Sequence, residues 1–220
     1  MPMSMKIYNA QLSPYSARVR LAVYAKGLDA EIIDTFSTPE LEAELEGLNP
    51  MAKVPTLLLD GVVVPESEVI GEYLEDLGVG RSLRPDGAAD KARMRLLSRI
   101  GDLYIMEPMT KLFSQINPKG RDQALVDREL AELTNGMKWL AKYLDGSPFA
   151  VGDSLTLADC TLAPMLFFYA QIGPMFGSAE PFKNIPTVGQ YYKGLLSNPH
   201  AKRVIDELEV ALAKVMAAKP

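Results

Sequence analysis

The chain has 220 residues, of which 48% are hydrophobic and 23% are charged, so it can bury a substantial core in one or two domains. Its 23 Lys and Arg residues against 28 Asp and Glu residues give a net charge of −5, which disfavours a nucleic-acid or anionic-membrane partner. One cysteine excludes an internal disulfide, and one cysteine with one histidine provides too few soft ligands for a zinc site. The sequence has neither a secretory signal pattern nor an apolar run of about 18–20 residues, so we expect a cytoplasmic, metal-free protein without a membrane span.

Strand and helix patterns alternate over the first 80 residues. Ser13-Pro14 predicts a helix start, because serine is a favoured N-cap and proline fits the first helical position, and Lys26-Gly27 predicts the end of that helix. Asp60-Gly61 between two short apolar runs predicts a tight hairpin. The predicted strands are 5–9, 30–36 and the two runs around that turn, and the predicted helices are 14–26, 38–48 and 67–77. The order is therefore β-α-β-α-β-β-α, with a right-handed crossover between the first two strands.

Strand patterns largely disappear after a break that contains glycine and proline, at residues 78–87. Apolar residues then recur at helical spacing. The predicted helices of this half are 88–116, 121–144, 156–169, 188–197 and 199–218. The sequence therefore predicts an α/β domain at 1–80, a linker at 81–87 and an all-helical domain at 88–220.

The hairpin stretch 50–67 carries the first functional signal. Val54-Pro55 opens its first strand, and Glu66-Ser67 stands where its second strand enters a helix. An X-Pro bond adopts the cis form at a cost of only about 0.5–1 kcal/mol, and a cis bond here would turn the Val54 N–H and C=O outward to pair with an extended peptide. Free N–H groups at a helix start favour a carboxylate. Together these features predict a grip for a small peptide-like anion.

Three motifs together resemble the glutathione transferase family, and the likeness covers almost the whole chain. They are Asn49-Pro50-x-x-Lys53-Val54-Pro55-Thr56-Leu57, Glu66-Ser67 and Val151-Gly152-Asp153-x-Leu155-Thr156-x-Ala158-Asp159. The resemblance implies a thioredoxin-like first domain that binds glutathione and a helical second domain. It further implies that the family's usual homodimer forms here, with a role in detoxification.

The resemblance also implies how glutathione is held. Val54, beside Pro55, would pair with the cysteinyl unit, and Ser67 would hold the γ-glutamyl carboxylate. Glu66 would take the γ-glutamyl ammonium, and Lys53 would reach the glycyl carboxylate. Ser67 as a simple helix cap and Lys53 as a solvated surface lysine are the plainer alternatives.

Ser13-Pro14-Tyr15-Ser16 has the shape of the Cys-Pro-Tyr-Cys motif of glutaredoxins, with serine at both cysteine positions. Serine forms no mixed disulfide, so dithiol exchange at this site is excluded. Omega-class transferases carry Cys-Pro at the matching place, so their deglutathionylation chemistry is disfavoured as well. The resemblance to serine-type transferases implies that Ser13 donates a hydrogen bond to the glutathione sulfur. Ser13 as a plain N-cap stays open, as do Tyr8, Tyr15 and Ser16 as the sulfur contact.

The leading function is activation of the glutathione thiolate for attack on a small hydrophobic electrophile. Arg18-Val19-Arg20 resembles the zeta class, which implies a maleylacetoacetate or maleylpyruvate isomerase as an alternative, but Tyr15 stands where that class has cysteine. A third alternative is a non-catalytic protein that binds glutathione or a hydrophobic ligand.

In the helical half, Thr156 and Asp159 form a capping pattern with Leu155 and Cys160 as a hydrophobic staple, which is a structural role. The family fold implies a second-substrate pocket between the domains. The candidate pocket residues on the predicted helix 88–116 are Tyr104, Met106, Met109 and Phe113, with Phe167 or Tyr169 as additions. Apolar residues at this spacing equally suit a plain core.

Overall fold

The structure is a computed structural model that describes residues 4–218. The first residue of the predicted α/β domain and the last residue of the predicted helical domain lie outside that range. The strands are β1 (Met5–Asn9), β2 (Glu31–Asp34), β3 (Thr56–Leu59) and β4 (Val62–Pro65). The helices are α1 (Pro14–Lys26), α2 (Pro39–Leu48), α3 (Ser67–Asp76), α4 (Ala88–Ile100), α5 (Glu107–Phe113), α6 (Gln123–Tyr143), α7 (Leu157–Ile172), α8 (Pro186–Leu195) and α9 (Pro199–Ala217). The predicted order β-α-β-α-β-β-α followed by helices is confirmed.

The four strands form one mixed sheet in the order β2-β1-β3-β4. β1 and β2 are parallel and are joined through α1, whereas β1 with β3 and β3 with β4 are antiparallel. Asp60 and Gly61 both have positive φ, as the type I′ form of a two-residue hairpin turn requires, which confirms the predicted turn.

The second strand is shorter than the predicted range 30–36. Residues Thr35–Ser37 form a 3-10 turn, in which the Ser37 hydroxyl donates to the Asp34 carbonyl at 2.7 Å. The Asp34 carbonyl is thus bonded locally to the Ser37 hydroxyl, and β2 ends at Asp34. Thr38 then caps the N-terminus of α2.

Helices cover both faces of the sheet. On one face, α1 and α3 bury a cluster with the strands; its members include Ile7, Val19, Leu57, Ile70 and Leu74. On the other face, Leu45 of α2 packs against Tyr8 and Ile33. The carboxyl end of β1 and the helix starts of α1 and α3 are thus held by two-sided burial, and these are the segments that carry the predicted site.

The predicted helix 88–116 is divided into α4, a π-helical segment Gly101–Met106 and α5. Pro108 has no backbone N–H, so the Tyr104 carbonyl four residues earlier loses its α-helical donor. Gly136 of α6 lies against the same carbonyl: a Cβ there would be 2.0 Å from the Tyr104 oxygen. Proline and this close helix contact together explain the π-helical turn.

The predicted capping arrangement at the start of α7 is confirmed. The Asp159 carboxylate accepts hydrogen bonds from the Thr156 N–H at 2.7 Å and hydroxyl at 2.8 Å, and also from the Ala150 N–H and the Tyr191 hydroxyl. Leu155 and Cys160 are buried. Four donors thus hold one buried carboxylate, which fixes the segment from 150 to the helix start.

By packing, the chain forms two compact units. One runs through Leu83 and includes the chain from Pro199 onward, and the other is Arg84–Asn198. The sequence predicts that 88–220 form one helical domain, but α9 packs on α1 and so groups with the first unit. No helix within residues 4–218 is long and apolar enough to cross a membrane.

Candidate active site

Ser13 lies at the N-terminus of α1. Its Oγ accepts a hydrogen bond from the Ser16 N–H at 3.2 Å, and its own N–H donates to the Ala10 carbonyl at 3.0 Å. The side chain is partly exposed. Because a serine hydroxyl has one hydrogen in addition to its acceptor lone pairs, the N-cap bond leaves the Ser13 O–H free to donate to a ligand.

The segment between β1 and Ser13 is held by buried polar side chains. The Ser16 hydroxyl accepts from the Ala10 N–H at 3.3 Å. Arg20, which is 0% exposed, donates to the Gln11 carbonyl at 3.1 Å and to Asn9 Oδ1. Asn9 Nδ2 donates in turn to Gln11 Oε1 at 3.0 Å. These bonds fix the path of residues 9–13 and therefore the place of the Ser13 hydroxyl.

The Val54–Pro55 peptide bond is cis. Buried Asn49 organises the loop before it: its Nδ2 donates to the Lys53 carbonyl at 3.1 Å and to Thr56 Oγ1 at 2.9 Å. No hydrogen bond to the Val54 N–H or C=O is formed from any residue in the range 4–218. A peptide ligand would therefore find both Val54 groups available, whereas Lys53 is exposed.

Glu66 and Ser67 form the start of α3. Glu66 is exposed and has φ +68° and ψ +118°, a conformation rare for a residue other than glycine, and such strain concentrates at functional sites. Ser67 is buried, and its Oγ accepts a hydrogen bond from Arg18 Nη1 at 3.1 Å. A guanidinium has no acceptor, so the Ser67 hydrogen remains available for a carboxylate.

Two of the alternative sulfur contacts, Tyr8 and Ser16, are fully buried. Tyr8 is fully buried and donates its hydroxyl hydrogen to Glu44 Oε1 of α2 at 2.5 Å. Burial, with Glu44 as a further cause, raises the pKa of Tyr8 above its ordinary value. Ser16 is 0% exposed and accepts from the Ala10 N–H. Tyr15 is partly buried in the first turn of α1. Of these hydroxyls, Ser13 and Tyr15 keep partial exposure, and Ser13 lies at the start of α1.

The predicted second-substrate residues separate into two kinds. Met106 and Met109 are 1% and 0% exposed, so they contribute to the core of the helical unit rather than to an open wall. Tyr104 is 44% exposed and stacks edge-to-face on Trp139, and Phe113 stacks on Phe168. Tyr104 and Phe113 keep exposed surface, and their place in a pocket stays a prediction.

The sequence analysis missed a groove of about 770 Å³ in the first unit. One wall is Gln11 and Leu12, which directly precede Ser13, and Asp34 lies beside them. The other wall is one face of α9, which includes Val210, Ala211, Lys214 and Val215. The periodicity of 199–218 showed a helix, but only the structure shows that its exposed face lies next to the Ser13 loop.

Comparison with known proteins identifies the family. The models of the glutathione S-transferase N-terminal and C-terminal domains match residues 12–77 and 123–193. Maleylacetoacetate isomerase of Rattus norvegicus is 30% identical over 203 residues, which cover 87% of this chain and 87% of that protein. Glutathione S-transferase D7 of Drosophila melanogaster is 28% identical over 228 residues, which cover 98% and 99%. The chain belongs to the glutathione S-transferase family.

Solved structures agree with the fold of a glutathione S-transferase. A glutathione S-transferase from Methylobacillus flagellatus KT with GSH bound has a TM-score of 0.78 at 22% identity, and the match covers 91% of this chain and 98% of that one. A glutathione S-transferase from Methylobacterium radiotolerans in complex with glutathione sulfonate has a TM-score of 0.76 at 23% identity, with coverage of 92% and 94%. These two matches show the fold; the two domain models and the glutathione S-transferase relatives are what support a glutathione transferase enzyme.

Several residues that shape this glutathione S-transferase site gave little signal in the sequence. Asn49 appeared only as part of a motif, although its partner Thr56 is only 7 residues away. Arg18 and Arg20 appeared only as part of a class likeness, and their partners Ser67 and Glu207 lie 49 and 187 residues away. Spacing cannot pair residues across such distances. No group of three or more His, Cys, Asp or Glu side chains in the range 4–218 is arranged to hold a metal ion.

Proposed function

We propose that this enzyme activates the thiolate of glutathione for attack on a small hydrophobic electrophile, with Ser13 as the hydrogen-bond donor to the sulfur. The observation that carries the proposal is the free hydrogen of the Ser13 hydroxyl at the start of α1, since its oxygen already accepts from Ser16. Ser13 assists the nucleophile and is not itself the nucleophile.

The energetics suit this role. A free thiol has a pKa of about 8.5, and each unit of lowering corresponds to about 1.4 kcal/mol. One charge-assisted hydrogen bond contributes roughly 1.5–3 kcal/mol, and the helix N-terminus adds up to about 1 kcal/mol. Together these terms make the thiolate the dominant form near neutral pH, and the thiolate is the reactive species.

We propose that glutathione is held along the edge formed by Val54, Glu66 and Ser67. The open N–H and C=O of Val54 would pair with the cysteinyl unit as a strand does. Ser67, backed by the Arg18 guanidinium, would donate to the γ-glutamyl carboxylate, and Glu66 would accept from its ammonium. Lys53 is long and exposed enough to reach the glycyl carboxylate.

The electrophile would occupy the groove between the Gln11-Leu12 segment and α9. Its volume of about 770 Å³ is within the usual range for small-molecule sites, roughly 300–1,000 Å³. Leu12, Val210 and Val215 give the groove an apolar surface.

Val210→Asp should lower kcat/KM for an aryl halide about tenfold or more. Met216→Asp is the matched control, since Met216 is an exposed apolar residue of the same helix outside the groove lining. Equal losses in both variants would place the electrophile elsewhere.

Steady-state kinetics with glutathione and an aryl halide test the role of Ser13. Ser13→Ala should lower kcat by roughly 10–100-fold while the KM for glutathione changes little, because the hydroxyl contacts only the sulfur. Tyr8→Phe should keep its activity. Unchanged turnover in Ser13→Ala together with lost turnover in Tyr8→Phe would refute the proposal. Retention on glutathione resin without turnover of any electrophile would instead favour a binding protein.

An isomerase of the maleylacetoacetate or maleylpyruvate type is the second candidate, favoured by the 30% identity to the Rattus norvegicus isomerase. In that reaction glutathione adds to the substrate and leaves again, so the same Ser13-assisted thiolate serves. Tyr15 occupies the class's cysteine position, which argues against it. Glutathione-dependent isomerisation of maleylacetoacetate that exceeds aryl-halide conjugation in kcat/KM would make the isomerase the better description.

We also infer a cytoplasmic location, where reduced glutathione is abundant.

A further inference from the structure

We propose that Glu207 of α9 is a positioning residue for Ser13: through buried Arg20 it holds the segment of chain that places the Ser13 hydroxyl. This inference rests on the proposed role of Ser13. It gives the last helix a part in the reaction besides forming a wall of the groove.

Arg20 is the centre of the arrangement. It projects from α1, is 0% exposed, and uses three of its nitrogens for three different partners. Nε donates to Glu207 Oε2 at 3.0 Å, Nη1 donates to Asn9 Oδ1, and Nη2 donates to the Gln11 carbonyl at 3.1 Å. Asn9 and Gln11 belong to the segment that leads from β1 to Ser13, so one side chain fixes that segment at two points.

Glu207 supplies the negative charge that makes this buried cation tolerable. Within residues 4–218 it is the carboxylate that forms an ion pair with Arg20, and the other Arg20 partners are neutral oxygens. Burial lowers the pKa of Arg20 from its ordinary value, and Glu207 opposes that effect. A buried charge that loses its partner draws in water or moves toward it. Any such movement of Arg20 releases the Gln11 carbonyl and shifts the chain before Ser13.

The carboxylate itself is held by two further donors. The Tyr24 hydroxyl donates to Glu207 Oε1 at 3.0 Å, and Arg203 Nε donates to the same oxygen at 3.2 Å. The Arg203 guanidinium also stacks over the Tyr24 ring at 3.6 Å. Glu207 therefore accepts from three side chains at once. An amide in its place would offer one acceptor oxygen and would turn an NH₂ group toward donors.

The test compares Glu207→Gln with Glu209→Gln, the same substitution at an exposed position of the same helix that forms none of these bonds. The pKa of bound glutathione is measured by the ultraviolet absorbance of its thiolate, without electrophile, so that the groove has no part in the result. Calorimetry gives glutathione affinity, and thermal unfolding shows whether each variant folds. Ser13→Ala and the wild type are titrated beside them.

We expect Glu207→Gln to raise the thiol pKa toward the value in Ser13→Ala and to lower kcat roughly tenfold. Glutathione affinity should stay within about twofold, because Val54, Glu66 and Ser67 are not touched. Glu209→Gln should match the wild type. If Glu207→Gln does not fold, Arg20→Lys serves instead, since a lysine keeps the charge but cannot bind Glu207, Asn9 and Gln11 together.

A wild-type thiol pKa in Glu207→Gln, with or without a lower melting temperature, would overturn the positioning role and leave α9 a purely structural helix. An equal rise in Glu209→Gln would overturn it too. The proposed function has a separate outcome: if Ser13→Ala itself leaves the thiol pKa unchanged, Ser13 is not the sulfur contact. If Ser13→Ala raises the pKa and Glu207→Gln does not, only the inference about Glu207 fails.

Discussion

The bond between Arg18 Nη1 and Ser67 Oγ links the first helix to the start of α3. Both residues are 5% exposed, and the two atoms are 3.1 Å apart. Arginine donates only, so the hydroxyl hydrogen must point elsewhere, and the nearby positive charge strengthens its bond to a carboxylate. At the scale of single residues, the glutamyl end of the proposed glutathione site is therefore prepared before the ligand arrives.

Replacing Arg18 by Met should weaken glutathione binding while leaving bound glutathione reactive. A hydrogen bond to a charged group contributes about 1.5–3 kcal/mol, which corresponds to roughly a 10- to 150-fold rise in the KM for glutathione. Steady-state kinetics at varied glutathione measure it. In Ser67→Ala the same substitution should have a much smaller effect, because its target is gone. An Arg18→Met enzyme with the wild-type KM would contradict this account of the carboxylate site.

The sequence predicted the helix starts at the proposed site better than the buried residues that support them. Ser13, Glu66 and Ser67 were predictable because helix starts have local signatures. Arg18 was not, because its partner is 49 residues away. The sequence also did not predict the solvent exposure of individual side chains. Its pattern did not distinguish buried Met106 from exposed Tyr104, because a helical period identifies the apolar face of a helix and not how far that face is buried.

Among the elements, α1 and α3 are joined by the buried pair Lys26 and Glu75, whose atoms are 2.6 Å apart. Glu75 also accepts from the Leu83 N–H and from the Ser82 hydroxyl, so the pair anchors the end of the first unit. Burial alone would raise the pKa of Glu75, but Lys26 and these donors outweigh it and hold that pKa below its ordinary value.

Stability should depend on pH through Glu75. Because its folded pKa is lowered, the stabilisation is complete above the ordinary pKa of a glutamic acid and is lost as pH falls through the folded value. Glu75→Ala strands buried Lys26 and should cost about 3–5 kcal/mol at neutral pH. Urea unfolding at neutral and acidic pH measures the difference from wild type, which should shrink in acid. A difference that is independent of pH would contradict the pair's role.

The π-helical turn makes a second prediction for the elements. Gly136→Ala should destabilise the protein even though alanine is the better helix former by about 1 kcal/mol, because its Cβ would meet the Tyr104 carbonyl at 2.0 Å. Gly194→Ala in α8 is the matched control, since a Cβ there meets nothing within 4 Å, and it should be neutral or stabilising. The melting temperatures of both variants test this. A higher melting temperature in Gly136→Ala than in the wild type would show that α6 does not closely contact the π-helical turn.

That turn also shows where the periodicity of a sequence is insufficient. Residues 88–116 have one continuous helical pattern, from which the sequence analysis predicted a single helix. The π-helical turn results from Pro108 together with the close approach of Gly136 from α6, and such a tertiary contact leaves no periodic pattern in the sequence. Conversely, the hairpin at Asp60-Gly61 and the cap at Thr156 and Asp159 were predicted because their geometry is local.

For the whole molecule, the family assignment was accessible from motif order, whereas the grouping of α9 with the first unit was not. The helix is separated from α1 by more than 170 residues of sequence, and its partner Arg20 is fully buried. The helix that supports the segment before Ser13 is therefore the last one in the sequence, α9.

We predict a homodimer, the assembly typical of glutathione transferases. Light scattering after size exclusion at micromolar concentration should give twice the chain mass of 24.1 kDa. The exposed apolar residues Met51 and Val69 are available for such an interface. A single-chain mass at that concentration would show that the protein acts as a monomer.

The central claim is that Ser13 contacts the sulfur of glutathione. The most direct test is a crystal structure of the enzyme with glutathione bound. The account predicts the Ser13 hydroxyl at hydrogen-bond distance from the sulfur, about 3–3.5 Å, with the cysteinyl unit paired to Val54. A sulfur at that distance from Tyr8 or Tyr15 and well away from Ser13 would contradict it.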